Sequence, residues 1–241
     1  MKRAAFVLLV VSVAFLGAGC VTSSAALTSQ RDPIALVSMV SNWDINWKGE
    51  DSINPNSTGI LSSRALRDDP DMTIVSNADE LINTAETLFR SALANSPLIN
   101  LAEKEAVFSS RAYQEARLNN PQINNNRRKP ADYRFVNSRD KIFPAALAGE
   151  TGIQRSLYVE YNFTKGMTGG FGKNGNFRAE LAMSIAILDN KGKTIYRKTF
   201  SSWSDSTIRV SGAAYSNSGL MEIFESAITR ACQDFLYQLE N

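Results

Sequence analysis

Residues 177–187, Phe-Arg-Ala-Glu-Leu-Ala-Met-Ser-Ile-Ala-Ile, decide the fold. Phe177, Ala179, Leu181, Met183, Ile185 and Ile187 occupy every second position, with Arg178, Glu180 and Ser184 among the residues between them. A period of two sends alternate side chains to opposite faces of an extended chain, so this stretch is a β-strand with one face in a core. The segments on either side share its character. Leu157, Val159, Tyr161 and Phe163 alternate upstream, and downstream a tight Asp189-Asn-Lys-Gly192 turn leads into Thr194 to Trp203 as a second hairpin. Between the first two strands, Lys165 to Gly175 is read as a flexible, glycine-rich hairpin loop.

A sheet with an apolar face needs a second layer to cover it. Leu220, Phe224, Ala227, Ile228, Ala231, Phe235, Leu236 and Leu239 recur at helical spacing and mark a terminal helix after Gly219. Leu81, Ile82, Ala85, Leu88, Phe89, Ala92 and Leu93 mark another, with Asn77 as the expected N-cap, Glu80 three residues on, and Asn95-Ser96-Pro97 as its end. Weaker signals give a brief strand over Leu98–Leu101, a helix over Glu103–Leu118, a polar basic connection over Asn119–Arg134 and a short helix around Phe143–Ala148. Ile34–Ser41 is an uninterrupted run of strand length and is expected to be buried on both faces. The pattern breaks up over 42–76, which reads as a long insertion. The sum is an α/β fold: a mixed, largely antiparallel sheet packed by amphipathic helices in a single domain over 34–241.

The amino terminus, MKRAAFVLLVVSVAFLGAGC, says where that domain is held. Lys2 and Arg3 precede an uncharged apolar run from Ala4 to Leu16, and Gly17-Ala18-Gly19 are small enough for a peptidase before Cys20. Leu16-Gly17-Ala18-Gly19-Cys20 resembles the lipobox of bacterial lipoproteins, and loosely those of spirochaetes. In that family leucine usually stands three residues before the cysteine; here Leu16 stands four before it. The resemblance implies cleavage after Gly19, lipidation of Cys20, and a membrane attachment through the N-terminal lipid. Residues 1–19 are then a signal peptide and 20–33, rich in Ser, Thr and Ala, a flexible spacer. Val21 after the cysteine is what the family's sorting rules associate with the outer membrane, with the domain facing the periplasm. An uncleaved membrane helix and a plain secreted protein are the alternatives.

Composition bounds the chemistry. The chain has 26 Lys and Arg against 24 Asp and Glu, and removing Lys2 and Arg3 with the signal leaves a formally neutral body. Such a body offers no basic stripe for nucleic acid. The absence of histidine removes Ser-His-Asp and Cys-His catalysis and every histidine-ligated zinc site. If Cys20 carries lipid, Cys232 has no partner within the chain and is expected to be a small buried hydrophobe. No catalytic residue, cofactor or metal is expected. Asp68, Asp69 and Asp71 lack the spacing of a calcium loop, and Asp189–Gly192 is a turn. The glycines at 169, 170, 172 and 175 lie between two strands, not between a strand and a helix as in a phosphate-binding loop.

Seven residues are candidates for contact with a partner or a membrane. Met167 and Phe171 sit in the glycine-rich segment; Trp43 and Trp47 sit in the insertion, where anchoring the loop in the core is the other reading. Arg127, Arg128 and Lys129 are suited to anionic headgroups or carboxylates, a solvated turn being the alternative. The order of elements, with NSPLINLAEKEAVFSSRAYQEA (95–116) and AILDNKGKTIYRKTFS (186–201), resembles the periplasmic domain of penicillin-binding-protein activator lipoproteins and the globular part of the curli secretion lipoprotein. That resemblance implies a non-catalytic module that binds another envelope protein. The insertion and the run Asn124-Asn125-Asn126 depart from it. A second functional reading has the amphipathic helices themselves enter the inner leaflet of the outer membrane.

Overall fold

Burial along residues 174–189 alternates as the sequence demands, and the layers are arranged around that strand. The computed structural model describes residues 32–48, 68–74, 78–171 and 174–240. The expected signal segment, with Gly19, Cys20 and nearly all of the expected spacer, lies outside these, as do Asn77 and the middle of the expected insertion.

The strands are β1 (Ile34–Asn42), β2 (Asn46–Trp47), β3 (Met72–Thr73), β4 (Arg127–Arg128), β5 (Arg155–Phe171), β6 (Asn174–Asp189), β7 (Thr194–Trp203), β8 (Ile208–Val210) and β9 (Tyr215–Ser216). The helices are α1 (Asp79–Ala94), α2 (Lys104–Phe108), α3 (Arg111–Gln114), α4 (Pro121–Asn124), α5 (Phe143–Thr151) and α6 (Asn217–Glu240). The main sheet has the order β4-β1-β5-β6-β7, with β2 added to β5 and β8 to β6, while β3 and β9 form a separate pair. β5, β6 and β7 are the antiparallel meander read from the sequence. β1 runs parallel to β5 and is buried along nearly its whole length, as a strand covered on both faces must be. The result is a single-domain α/β fold with a mixed, largely antiparallel sheet.

The two faces of this sheet are covered differently. On the first, Leu157, Val159, Tyr161 and Phe163 of β5 and the odd-numbered apolar residues of β6 meet the apolar stripes of α1 and α6. Phe235 of α6 packs on Phe89 of α1 and against Tyr196 and Phe200 of β7, with ring centroids 5.7–6.3 Å apart. Cys232 is buried here, and desolvation pushes its thiol up to about 12, so the residue is protonated and inert. On the second face a smaller core gathers Ala35, Val37, Tyr158 and Leu188 under α2, α3 and α5, through Val107, Tyr113, Phe143 and Leu147. These short helices reach only part of the way across. Glu160, Asn162, Arg197, Thr199 and Ser201 remain exposed on the uncovered remainder.

Several local expectations need correction. The helix expected over Glu103–Leu118 is two, because the chain is extended at Ser110, whose side chain accepts from the Tyr113 N–H and caps α3. α1 begins at Asp79 with Ala78 in the capping position and no side-chain cap there; Asn77, the expected cap, lies outside the described residues. Leu98–Leu101 makes only an isolated bridge, Leu101 to Ile34. The connection over Asn119–Arg134 contains α4 and β4. The glycine-rich segment is strand up to Phe171 and again from Asn174. Gly170 and Gly175 pair across the hairpin with φ of 114° and 141°, and a Cβ on either would lie within 2.1 Å of the opposite backbone. Glycine is therefore required by the close crossing of the two strands.

Candidate partner-contact surfaces

The described parts of the insertion are tied down at both ends. Trp47 pairs in register with Lys165, and its ring meets Phe177 and Tyr215 edge-on at 5.0 and 6.3 Å. Lys165, only 1% exposed, donates to the Tyr215 hydroxyl at 2.9 Å and holds its ammonium 5.0 Å from the Trp47 ring. Trp47 is itself 3% exposed and so leaves the set of surface contacts; it is an anchor. At the other end, the Asp71 carboxylate accepts from the Ser216 hydroxyl and from the Ser218 hydroxyl and N–H, at the start of α6. These hydrogen bonds, Ser216 first, hold Asp71 below the usual carboxylate range. The aspartate is thus engaged at a helix N-terminus, where negative charge is favoured. Among the described residues no group of three or more His, Cys, Asp or Glu side chains is placed to hold a metal ion.

Trp43 lies on the outside, 41% exposed, with the Arg128 guanidinium 3.1 Å from its ring centroid. Arg128 also meets Asp79 at 3.1 Å, and Arg127 meets Glu160 at 2.8 Å. Both arginines are held because β4 pairs antiparallel with the end of β1, Arg127 opposite Asn42 and Arg128 opposite Ser41. Lys129 donates to the Ala131 carbonyl at 3.2 Å. The expected solvated basic loop is therefore a short edge strand whose arginines have internal acidic partners. Nothing in the sequence near 127–129 marks Asp79 or Glu160 as those partners, since each is far away along the chain.

Met167 and Phe171 are brought together at the far end of β5. β1 follows β5 only to Tyr161 and β2 only to Lys165; past that, β6 is its strand partner among the described residues. Residues 167–171 stand out as a two-stranded arm, braced on the β6 side by β8. Met167 is 38% exposed and Phe171 91% exposed. An aromatic ring this open gains little from the fold that carries it.

No family model matches this chain, and no curated protein matches it. Among solved structures, the LpoB C-terminal domain from Salmonella enterica is similar at 16% identity, covering 74% of this chain and 93% of that one with a TM-score of 0.32. A protein named as a lipoprotein from Caulobacter crescentus is similar at 18% identity over 42% of this chain and 77% of its own, with a TM-score of 0.28. A hypothetical protein from Chlamydia trachomatis is similar at 9% identity over 88% and 94%, with a TM-score of 0.33.

The helices α1 and α6 have no apolar face left to offer a bilayer. Leu81, Ile82, Ala85, Phe89 and Leu93 of α1, and Leu220, Phe224, Ile228, Phe235 and Leu239 of α6, are buried in the first-face core. Insertion of these faces would require unfolding that core, which corrects the reading in which they enter the leaflet. No helix among the described residues is long and apolar enough to cross a membrane.

Proposed function

We propose that this chain is a lipid-anchored binding module of the bacterial outer membrane, without catalytic activity, which holds an envelope protein partner through the arm at residues 167–171. The anchor is the diacylglyceryl-modified Cys20 after cleavage at Gly19, and the domain faces the periplasm. The sequence order of charged start, apolar run, small residues and cysteine supports the anchor. Two or more acyl chains at about 0.8 kcal/mol per buried methylene make such a tether stable.

The observation that carries the binding role is the 91% exposure of Phe171 at the end of a braced two-stranded arm. A large ring held in solvent on paired strands removes much apolar surface from water when it docks, which is the property of an interface anchor. Trp43, stacked under Arg128 beside the same end of β1, is the secondary contact.

Site-specific photo-crosslinking tests this. A photoreactive residue at 171 in the membrane-attached protein is expected to give one discrete crosslinked envelope protein, and the same residue at 225, on the remote exposed side of α6, is expected to give none. Crosslinks from 171 to lipid alone, or none, would contradict the partner role.

A further inference from the structure

Where the short helices end, the second face of the sheet floors a cavity of about 350 Å³, a size suited to a small molecule. Tyr158, Ser184 and Thr199 come from adjacent strands of the floor, and Arg127, Arg139 and Arg197 bring three guanidiniums to it. A second cavity of about 600 Å³ shares Asn119, Arg127, Ser138, Arg139 and Glu160 with the first, and adds Arg117 and the exposed apolar Leu118 and Ile123. One carboxylate, Glu160, lines them, and Arg127 binds it at 2.8 Å. Asp140, close to Tyr158, accepts from the N–H groups of Ile142 and Phe143 at the start of α5. Among the described residues neither Arg139 nor Arg197 has a carboxylate within ion-pair distance. The Ser184 and Thr199 hydroxyls, 2.8 Å apart, already bond each other and add polar rather than charged surface.

A concavity in which guanidiniums outnumber carboxylates, here three to one, concentrates anions, and guanidinium geometry matches carboxylate and phosphate oxygens. We propose that the first cavity binds a small anionic ligand through a carboxylate or phosphate group held by Arg139 and Arg197, with its uncharged portion passing Arg139 into the second cavity along Leu118 and Ile123. The site is separate from the arm and does not depend on what the arm contacts.

Titration calorimetry of the full chain in detergent, with inorganic phosphate and with citrate as probes, tests the proposal. Saturable binding of either probe is expected. It should weaken by at least about tenfold when Arg139→Gln and Arg197→Gln are combined, the loss of charge-assisted hydrogen bonds. Arg209→Gln, an exposed arginine on β8 that lines neither cavity, should leave it unchanged. An unchanged near-UV circular dichroism spectrum confirms that the variants are folded. Absence of saturable binding of both probes overturns the proposal, as does an equal loss in all the variants. So does retention on phosphatidylglycerol vesicles that depends on Arg139 and Arg197 without binding of either soluble anion, since the arginines would then serve a lipid surface.

Discussion

The two faces of the sheet are made by the same strands and differ in what covers them. On the first face, the buried apolar residues of β5, β6 and β7 share one core with the long helices α1 and α6, and that core takes in residues from Ile34 to Leu239. On the second face, α2, α3 and α5 cover one end, and the other end keeps Glu160, Asn162, Thr199 and Ser201 in contact with solvent. The larger core therefore belongs to the first face, while the uncovered end of the second has positions free to serve another purpose. The alternation in the middle of β6 already encodes the difference: Leu181, Met183, Ile185 and Ile187 are large and apolar, and Ala182, Ser184 and Ala186 between them are small.

Substitutions can break or sharpen this comparison. Phe235→Ala removes a ring from the centre of the first face and is expected to cost about 3–5 kcal/mol in urea unfolding, the largest single effect. Val107→Ala on the covered end of the second face should cost about 2 kcal/mol, because fewer carbons are lost from a smaller core. Ser201→Ala on the uncovered end should stay within about 0.5 kcal/mol of wild type. Should Ser201→Ala destabilise as much as Val107→Ala, the open part of the face would not be free and the comparison would fail.

A smaller, pH-dependent effect comes from the edge of the first face. The folded-state pKa of Asp71 is depressed, so its contribution is fully present above the unfolded value of about 3.9 and is lost as pH falls through the folded one. Thermal unfolding should show a gap between wild type and Asp71→Ala at pH 6 that narrows as pH falls below about 4. A gap that persists unchanged into strong acid would mean that the carboxylate charge is not what stabilises the start of α6.

The sheet and the long helices were legible because each is a local, periodic signal: Phe177 to Ile187 at a period of two, Leu220 to Leu239 at helical spacing. What escaped was set by partners distant in sequence. Asp71 caps a helix that begins at Asn217, and Arg128 finds Asp79, neither of which leaves a mark near the residue itself. Lys165 reads as the start of a flexible loop, yet it is buried with its ammonium over the rings of Trp47 and Tyr215. The glycines that follow it looked like loop because glycine is a poor strand former, but opposed across a hairpin they allow the strands to cross closely. Ser110 was legible in principle: Ser-Arg-Ala-Tyr contains the cap that divides the helix. Of the candidate contacts, Phe171 and Met167 lie where a partner can reach them, Trp47 does not, and Arg127 and Arg128 are in internal ion pairs. Arg139 and Arg197 carried no local signal, because the cavity joins a loop to β7.

The anchor is the claim on which the proposed role most depends, and intact-mass spectrometry of the protein purified from bacterial membranes tests it directly. The account predicts a mature chain that begins at Cys20 and carries the added mass of a diacylglyceryl group and an N-acyl chain, with Cys20→Ser abolishing both cleavage and attachment. A chain that retains Met1, or one cut at another position with an unmodified Cys20, would contradict it.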